Sequence, residues 1–154
     1  LASGTAPMRM GNAHPNIVPY SVFDCADGWI IIATGNDGQY RRLCGILGLE
    51  ALAEAPEYLT NADRITNRAA LTARITERTR TFTKAELLAA CERDGVPAGP
   101  INDMGEVFAD PQIVARGLRI APDGVPGVRS PFSFSGADLA LDRPSPKLGE
   151  HDTA

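Results

Sequence analysis

The sequence has 154 residues, of which 44% are hydrophobic and 22% are charged, as in one ordinary globular domain with its own core. Its net charge of −4 excludes a nucleic-acid surface built from Lys and Arg, and no apolar run reaches the roughly 18 residues that cross a bilayer. A metal site is not expected, because the three cysteines are widely spaced and the sequence has two histidines. The cysteines are predicted to be reduced core thiols of a cytoplasmic protein.

The first regular element that the sequence predicts is a β-hairpin. The run Val18–Cys25 alternates in polarity, and the apolar run Trp29–Thr34 follows it. Asp27 and Gly28 between the two runs are typical of a tight hairpin turn, because glycine reaches positive φ without strain. Pro19 lacks a backbone N–H, so we expect the first strand to lie at an edge of its sheet.

A helix is predicted directly after the hairpin. Tyr40, Leu43, Cys44 and Leu47 have the spacing of one apolar helical face. Asp37 stands before this face and is a candidate for the N-cap, since its carboxylate can accept from the first free backbone N–H groups.

The middle of the chain alternates between helices and extended segments. We interpret residues 54–67 as a Pro-containing connector and residues 68–81 as a helix. Thr83 and Glu86 have the spacing of a capping box for the next helix. Residues 96–102 are expected to be extended, because prolines block helix formation there.

The last third of the chain is expected to contain little regular structure. Asp103 with Glu106, and Asp110 before a proline, predict two short helices. Residues 118–136 have the pattern of two short strands, and residues 137–154 are Pro-rich and irregular. The whole pattern predicts an α+β fold, with a small antiparallel sheet packed against helices in two layers and extended arms at both ends.

Residue chemistry by itself offers few catalytic candidates. Residues 35–39 follow a strand but match neither Gly-x-Gly-x-x-Gly nor a Walker sequence, and a Gly-x-Ser-x-Gly elbow is missing from the sequence. Asp24 lies on a strand face, where a structural role is favoured. Glu150 and His151 could exchange protons, or could belong to a flexible tail. The polar loop Arg9–Tyr20 is either a connector or one wall of a site.

Nine short motifs stand in one collinear order along the chain: R-x-GN-x-HP, PY, DGWIIIATGNDGQYRRLC, PEYLTNADRITNR, GVPAGPIN, DPQ, RG, SPFSFSG and P-KLGEH. In this order they resemble the C-terminal part of class III CoA-transferases, the family that includes formyl-CoA and carnitine CoA-transferases and α-methylacyl-CoA racemases. The resemblance covers nearly the whole chain, from Arg9 to His151.

The resemblance implies a domain organisation. Residues 1–15 would be an incoming linker, residues 16–110 a small α+β domain, and residues 111–154 a returning linker and the start of a C-terminal segment. Family members also have a large N-terminal catalytic domain, which we expect to be absent here. The chain lacks an initiator methionine and closes on a polar tail, so we expect a piece of a longer protein. The resemblance implies that the longer protein is an interlocked homodimer.

The resemblance also implies an activity for the longer protein. Family transferases move CoA from an acyl-CoA to a carboxylic acid through an aspartyl-CoA thioester. The nucleophilic aspartate would lie outside this chain, which by itself is expected to be inactive. A CoA thioester is then a substrate, and we expect neither a tightly bound cofactor nor a membrane or nucleic-acid partner. The motif GVPAGPIN favours a transferase over a racemase, and a stand-alone binding domain is the third alternative.

The polar loop is where the resemblance places substrate contacts. In formyl-CoA transferase, the loop after the Gly-Asn pair is a run of glycines that closes over the reacting aspartate. Here Gly11 and Asn12 are followed by His14, Pro15 and Asn16 in place of glycines. This departure predicts a stiffer loop with polar groups that can contact an acyl carboxylate or exclude water.

Overall fold

The computed structural model describes residues 4, 6, 9–150 and 152. The structure divides into two compact units, of which the first ends at Ile101 and the second begins at Asn102. In the first unit a small antiparallel sheet packs against helices, which confirms the α+β fold class. The domain boundaries expected at residues 15 and 110 concern the longer protein and stay a prediction.

In the described part of the first unit, the strands are β1 (Tyr20–Cys25), β2 (Gly28–Ala33) and β3 (Ala98–Ile101). The helices of this unit are α1 (Asp37–Leu47), α2 (Glu50–Glu54), α3 (Asn61–Thr66), α4 (Arg68–Thr79) and α5 (Lys84–Arg93), with a 3₁₀ turn at Pro56–Tyr58. The second unit has α6 (Met104–Ala109), α7 (Pro111–Ala115), β4 (Arg119–Ile120), a 3₁₀ turn at Pro122–Gly124 and β5 (Gly127–Val128).

The sheet is built on the predicted hairpin. β1 pairs antiparallel with β2 as far as the pair Cys25 and Gly28, and Gly28 has a φ of 149°. β3 pairs antiparallel with the other side of β2, so the strand order is β1-β2-β3 and β1 lies at an edge as expected. The sequence predicted that residues 96–102 are extended, but not which strand they join, because that choice depends on distant contacts.

The core lies between one face of the sheet and the surrounding helices. The sheet contributes Phe23, Ile30 and Ile32, and the helices contribute residues that are equally buried, namely Tyr40, Leu43, Cys44, Leu47, Leu71, Ile75, Leu87 and Cys91. Burying one large apolar side chain stabilises the fold by about 1.5–3 kcal/mol, so this cluster carries most of the stability of the first unit. The three cysteines are unpaired and buried, which confirms the prediction of core thiols.

Helix starts agree with the predicted caps at all but one position. The capping boxes that begin at Thr83 and Asp103 are both present. At α1, however, Asn36 is the N-cap, and its Oδ1 accepts from Gln39 N at 2.9 Å. The prediction of Asp37 was therefore wrong by one residue, because both neighbours have side chains that can accept at a cap. Asp37 is left available for another contact.

The segment predicted as a Pro-containing connector is largely helical. Pro56 occupies the first position of a 3₁₀ turn, and Thr60 with Asp63 forms a capping box at the start of α3. A helix of six residues has too little apolar periodicity to be recognised in a sequence, and its stability comes from tertiary packing. The connector interpretation was wrong for this reason.

The second unit has a different character, since none of its described residues is fully buried. β4 pairs antiparallel with β5, which confirms the two short strands that the sequence predicted. Phe132 and Phe134 are 69% and 62% exposed. The described part of this unit therefore does not cover its own large aromatic side chains.

Candidate active-site loop

The segment Arg9–Pro19, named here the 9–19 loop, leads into β1. Its first part is a turn, in which Ala13 N donates to Met10 O at 3.2 Å and Gly11 adopts a φ of 61° that suits glycine. Gly11 and Asn12 are both exposed. Two of the predicted site residues thus form a surface turn, while the second half of the loop is held against the fold.

Arg68, at the start of α4, holds the middle of the 9–19 loop. Its Nη1 donates to His14 O at 2.8 Å, and its Nη2 donates to Pro15 O at 2.7 Å. The guanidinium is a rigid planar fork, so two parallel hydrogen bonds to consecutive carbonyls fix the orientation of the intervening backbone. The expected stiffness of the loop therefore has a source on another element.

Asn61, at the start of α3, holds the next part of the loop. Its Nδ2 donates to Asn16 O at 2.8 Å, and its Oδ1 accepts from Val18 N at 3.0 Å. One amide thus satisfies a donor and an acceptor that β1 does not pair. Residues 16–18 of the loop are therefore hydrogen-bonded to α3, a helix that the sequence did not predict.

Arg64 holds the end of the loop from inside the core. Its side chain is 1% exposed, and its Nε donates to Val18 O at 2.7 Å. The same guanidinium lies 4.4 Å from the centroid of the Tyr40 ring and contacts Asp37 Oδ1 at 2.6 Å. It also donates to Tyr58 O at 2.9 Å.

A buried charge of this kind is costly unless it is paired and fully hydrogen-bonded. Among the described residues, every buried side-chain nitrogen and oxygen has a hydrogen-bond partner, so Arg64 meets this requirement. Arg64 therefore connects the N-terminal turn of α1 and the loop end to α3.

His14 is the predicted site residue with the most defined geometry. Its ring stacks on the Tyr20 ring, with centroids 5.2 Å apart and planes 15° apart. Its Nδ1 accepts from Asn16 N at 3.1 Å, and its backbone N donates to Tyr20 O at 2.9 Å. Because Nδ1 is an acceptor, the neutral imidazole must carry its hydrogen on Nε2. Tyr20 is half-buried against His14 and does not join the core.

The remaining candidates have plain local contacts. Glu150 is exposed, and its Oε2 accepts from Lys147 N at 2.6 Å, while His151 lies outside the described residues. Asp24 forms an exposed ion pair with Arg80, which agrees with the structural role favoured for it. These contacts explain Glu150 and Asp24 without a ligand.

The cysteine thiols are not suited to nucleophilic catalysis. Burial raises the pKa of the Cys25 and Cys44 thiols, and it raises the pKa of Cys91 to about 11. The thiolate is the reactive form, and it is scarce near neutral pH when the pKa is raised. The described cysteines therefore act as small apolar residues of the core.

The described part of the chain has no metal-binding cluster and no membrane-spanning helix. Within it, no three His, Cys, Asp or Glu side chains are grouped so that they could hold a metal ion. No helix in this part has the length and apolarity that a membrane span requires.

Three residues that organise the loop were not identified from the sequence. Asn61, Arg64 and Arg68 are three and four residues apart, which is the spacing of one helical face, and this polar stripe was the available signal. Asn61 and Arg64 fall in the segment interpreted as a connector and Arg68 begins the predicted helix, so the shared target of the three side chains could not be predicted. Chemically, the loop presents hydrogen-bond donors and acceptors on a fixed backbone and offers no nucleophile.

Comparison with known proteins gives this geometry a context. The family model described as CoA-transferase family III matches residues 1–152. The chain is 53% identical to a succinate–glutarate CoA-transferase of Agrobacterium fabrum, covering 98% of the chain and 39% of that protein. It is 37% identical to an acetyl-CoA:oxalate CoA-transferase of Acetobacter aceti, covering 99% of the chain and 40% of that protein.

A solved structure agrees with these relatives. The crystal structure of a CAIB/BAIF family protein from Brucella suis matches with a TM-score of 0.89 and 56% sequence identity. The match covers 97% of this chain and 40% of the Brucella chain. The chain thus spans about two fifths of the length of these three proteins. With nearly every residue inside the family match, the chain belongs to CoA-transferase family III.

Proposed function

We propose that this chain is the small-domain portion of an acyl-CoA:carboxylate CoA-transferase, an enzyme that moves CoA from an acyl-CoA to a carboxylic acid. The observation that carries the proposal is the 53% identity to a succinate–glutarate CoA-transferase over 98% of the chain. Because the chain spans 39% of that relative, we assign the activity to a longer protein. The 154-residue chain alone is inactive in this proposal.

The chemistry is that of a carboxylate nucleophile outside this chain. An aspartate attacks the thioester carbonyl and breaks its C–S bond, which gives a mixed anhydride and CoA thiolate. The thiolate then attacks the aspartyl carbonyl, releases the first carboxylate and forms an aspartyl-CoA thioester. The acceptor carboxylate attacks this thioester and displaces the CoA thiolate, which gives a second mixed anhydride. The thiolate attacks the acceptor's carbonyl in that anhydride, forms the new acyl-CoA and releases the aspartate. Covalent catalysis of this kind divides one difficult exchange into easier acyl transfers.

The 9–19 loop is the proposed contribution of this chain to the site. Gly11, Asn12, His14, Pro15 and Asn16 form one wall, which contacts the substrate and limits access of water. The hydrogen bonds from Arg68 to His14 O and Pro15 O support a fixed wall rather than a moving lid. Glu150 and His151 are proposed separately as further candidates for a substrate contact.

The proposed acids are small dicarboxylic acids. The names of the two curated relatives reported above contain succinate, glutarate and oxalate. Each of these acids carries two carboxylates. A dicarboxylate keeps one free carboxylate after it forms a thioester, and this anion needs hydrogen-bond donors in the site. The polar residues of the 9–19 loop provide such donors.

Two other functions remain as alternatives within and outside the enzyme class. An α-methylacyl-CoA racemase needs an acid and a base on either side of the α-carbon, and those groups would also lie outside this chain. A stand-alone binding domain would keep the fold without catalysis. An in-frame large domain with a suitable aspartate upstream favours the enzyme, whereas a start codon at the beginning of this chain favours the binding domain.

We also propose that the longer protein is a cytoplasmic, interlocked homodimer. The exposed Phe132 and Phe134 support association, since apolar surface of this kind is normally covered by another domain or chain. The unpaired thiols of the core fit a reducing compartment. A monodisperse monomer of the 154-residue chain, with both terminal arms ordered against its own core, would contradict the proposed association.

A thioester-exchange assay tests the proposed function. The 154-residue chain and the complete reading frame that contains it are each incubated with succinyl-CoA and a panel of mono- and dicarboxylic acids, and new CoA esters are identified by mass. We expect exchange by the complete protein with dicarboxylic acids, and none by the 154-residue chain. Epimerisation of an α-methylacyl-CoA without exchange would establish the racemase. Exchange by the chain alone would overturn the proposal and return attention to Asp24, His14 and Glu150.

A further inference from the structure

The orientation of the His14 ring depends on a side chain from another element. Arg68 donates to the carbonyls of His14 and Pro15, at 2.8 Å and 2.7 Å, and thereby holds the peptide that follows the ring. The hydrogen bond to His14 O is part-buried and therefore partly shielded from competing water, whereas the one to Pro15 O is exposed. The backbone at His14 is therefore held from two sides, by α4 at its carbonyl and by Tyr20 O of β1 at its N–H.

Two contacts then select one form of the imidazole. Asn16 N donates to Nδ1 at 3.1 Å, which requires an unprotonated Nδ1, and stacking on Tyr20 fixes the plane of the ring. Asn16 is itself held through its carbonyl by Asn61. Arg68 anchors the same stretch of backbone through the carbonyls of His14 and Pro15. Within the described residues, His14 Nε2 has no hydrogen-bond partner.

We propose that Arg68 is a positioning residue, which fixes His14 as the Nε2–H tautomer so that the loop offers a neutral donor to a substrate carboxylate. The carboxylate assignment rests on the proposed function, whereas the tautomer does not. A hydrogen bond from N–H to an ionised carboxylate is charge-assisted and stronger than one between neutral groups. His14 in this arrangement binds and orients, and it does not act as a base, because its acceptor nitrogen is occupied.

The first experiment measures the tautomer without any substrate. Histidine-labelled 154-residue chain is examined by ¹⁵N NMR near neutral pH, and a His151→Ala variant identifies the signals of His14. We expect one dominant form with hydrogen on Nε2 in the wild type, and a mixture of both tautomers in Arg68→Met. Arg74→Met is the matched control, since Arg74 is an exposed arginine on the same helix.

Circular dichroism reports whether each variant is folded. If Arg68→Met does not fold, Arg68→Lys replaces it, because a single ammonium cannot hold both carbonyls in the planar geometry of a guanidinium. A wild type with hydrogen on Nδ1 would overturn the proposal. A folded Arg68 variant that keeps the wild-type tautomer would overturn it as well.

The second experiment asks whether the donor contacts a carboxylate. In the complete protein, KM is measured for glutarate and for succinyl-CoA in wild type, His14→Ala and His14→Gln. Loss of the donor is expected to raise one KM about tenfold, or ~1.4 kcal/mol, and glutamine should restore part of the loss through its amide N–H. A higher KM for glutarate identifies the acceptor acid as the ligand, and a higher KM for succinyl-CoA identifies the acyl group.

The two proposals fail in different ways. A complete wild-type protein without exchange activity contradicts the proposed function, and the NMR result still decides the role of Arg68. An active wild type with both KM values unchanged in His14→Ala contradicts the carboxylate contact alone.

Discussion

At the scale of single residues, Arg64 and Arg68 use the same chemistry for different purposes. Arg64 is 1% exposed and donates to Val18 O and Tyr58 O inside the fold. Arg68 is half-buried and donates to two carbonyls of the 9–19 loop. Loss of Arg64 therefore affects the stability of the whole first unit, whereas loss of Arg68 affects mainly the loop.

Replacing Arg64 with methionine is expected to destabilise the chain by about 3 kcal/mol. Methionine fills part of the volume but leaves buried carbonyl oxygens without donors, and each unsatisfied buried group costs roughly 1–3 kcal/mol. The free energy of unfolding is measured by urea denaturation of the 154-residue chain. Arg93→Met is the control, because Arg93 is 69% exposed and pairs with Asp94 at the surface. Its expected effect is within about 0.5 kcal/mol. Equal effects of the two substitutions would contradict the role of Arg64.

At the scale of elements, the starts of α3 and α5 share one device. In each capping box, a threonine hydroxyl and backbone N–H bond the carboxylate three residues later. Hydrogen bonds from the Thr83 backbone and then from its hydroxyl lower the pKa of Glu86 below its ordinary 4.5. Hydrogen bonds from the Thr60 hydroxyl and then from its backbone lower the pKa of Asp63 below 3.8. Folding therefore favours the ionised form of both groups.

The stability of the first unit is expected to fall with acidification. A carboxyl with a lowered pKa in the folded state contributes stability above its ordinary pKa, and that contribution is lost as the pH falls through the folded value. The loss begins near pH 4.5 for Glu86. The free energy of unfolding, measured by urea denaturation, should decrease less between pH 7 and pH 3 in Glu86→Gln than in wild type. Glu92→Gln, an exposed glutamate of the same helix, should behave like wild type. An equal decrease in the free energy of unfolding of all three proteins would show that the capping carboxylate does not contribute to the loss of stability at low pH.

At the scale of the whole molecule, the two units differ in how much they bury. The first unit has a continuous core around β2, α1, α4 and α5. The described residues of the second unit include none that is fully buried, although several are large and apolar. A unit with so little buried apolar surface has little to oppose local opening. Its stability in the longer protein is expected to depend on whatever covers it.

Hydrogen exchange of the 154-residue chain should separate the two units. We expect slow exchange in β1 and β2, where opening requires loss of the core, and fast exchange throughout residues 102–150. Mass spectrometry of peptides after timed labelling gives the comparison, and the complete protein is the control. Protection of residues 102–150 should rise in the complete protein if another domain or chain covers them. Equal protection of both units in the isolated chain would contradict this description.

The sequence predicted the elements well wherever the signal was local. The hairpin, the capping boxes at Thr83 and Asp103 and the strands of residues 118–136 were each recognised from neighbouring residues. The cap of α1 was misplaced by one residue, and α3 was missed because its six residues have little periodicity. Both errors arise where the local sequence leaves a choice open. Two adjacent side chains can cap α1, and six residues can form either a helix or a connector at α3, so tertiary packing decides in both cases.

The candidate site was predicted only in part. The sequence identified His14 and its neighbours as the residues to examine, but it did not identify Asn61, Arg64 or Arg68. Their contacts join Arg64 to Val18 across 46 positions and Arg68 to His14 across 54 positions. Neither residue of such a pair lies in a local sequence pattern that identifies its partner.

The sequence by itself determined the fold class, the family and the apolar faces of the main elements, because these follow from composition, periodicity and the order of short motifs. Only the tertiary structure decided that β3 joins β2, that Arg64 is buried, and that Arg68 fixes the backbone beside the His14 ring. The physical reason is that a periodic pattern specifies which side of an element is buried, not which partner it meets. That partner is selected when distant donors and acceptors leave water together and must satisfy one another.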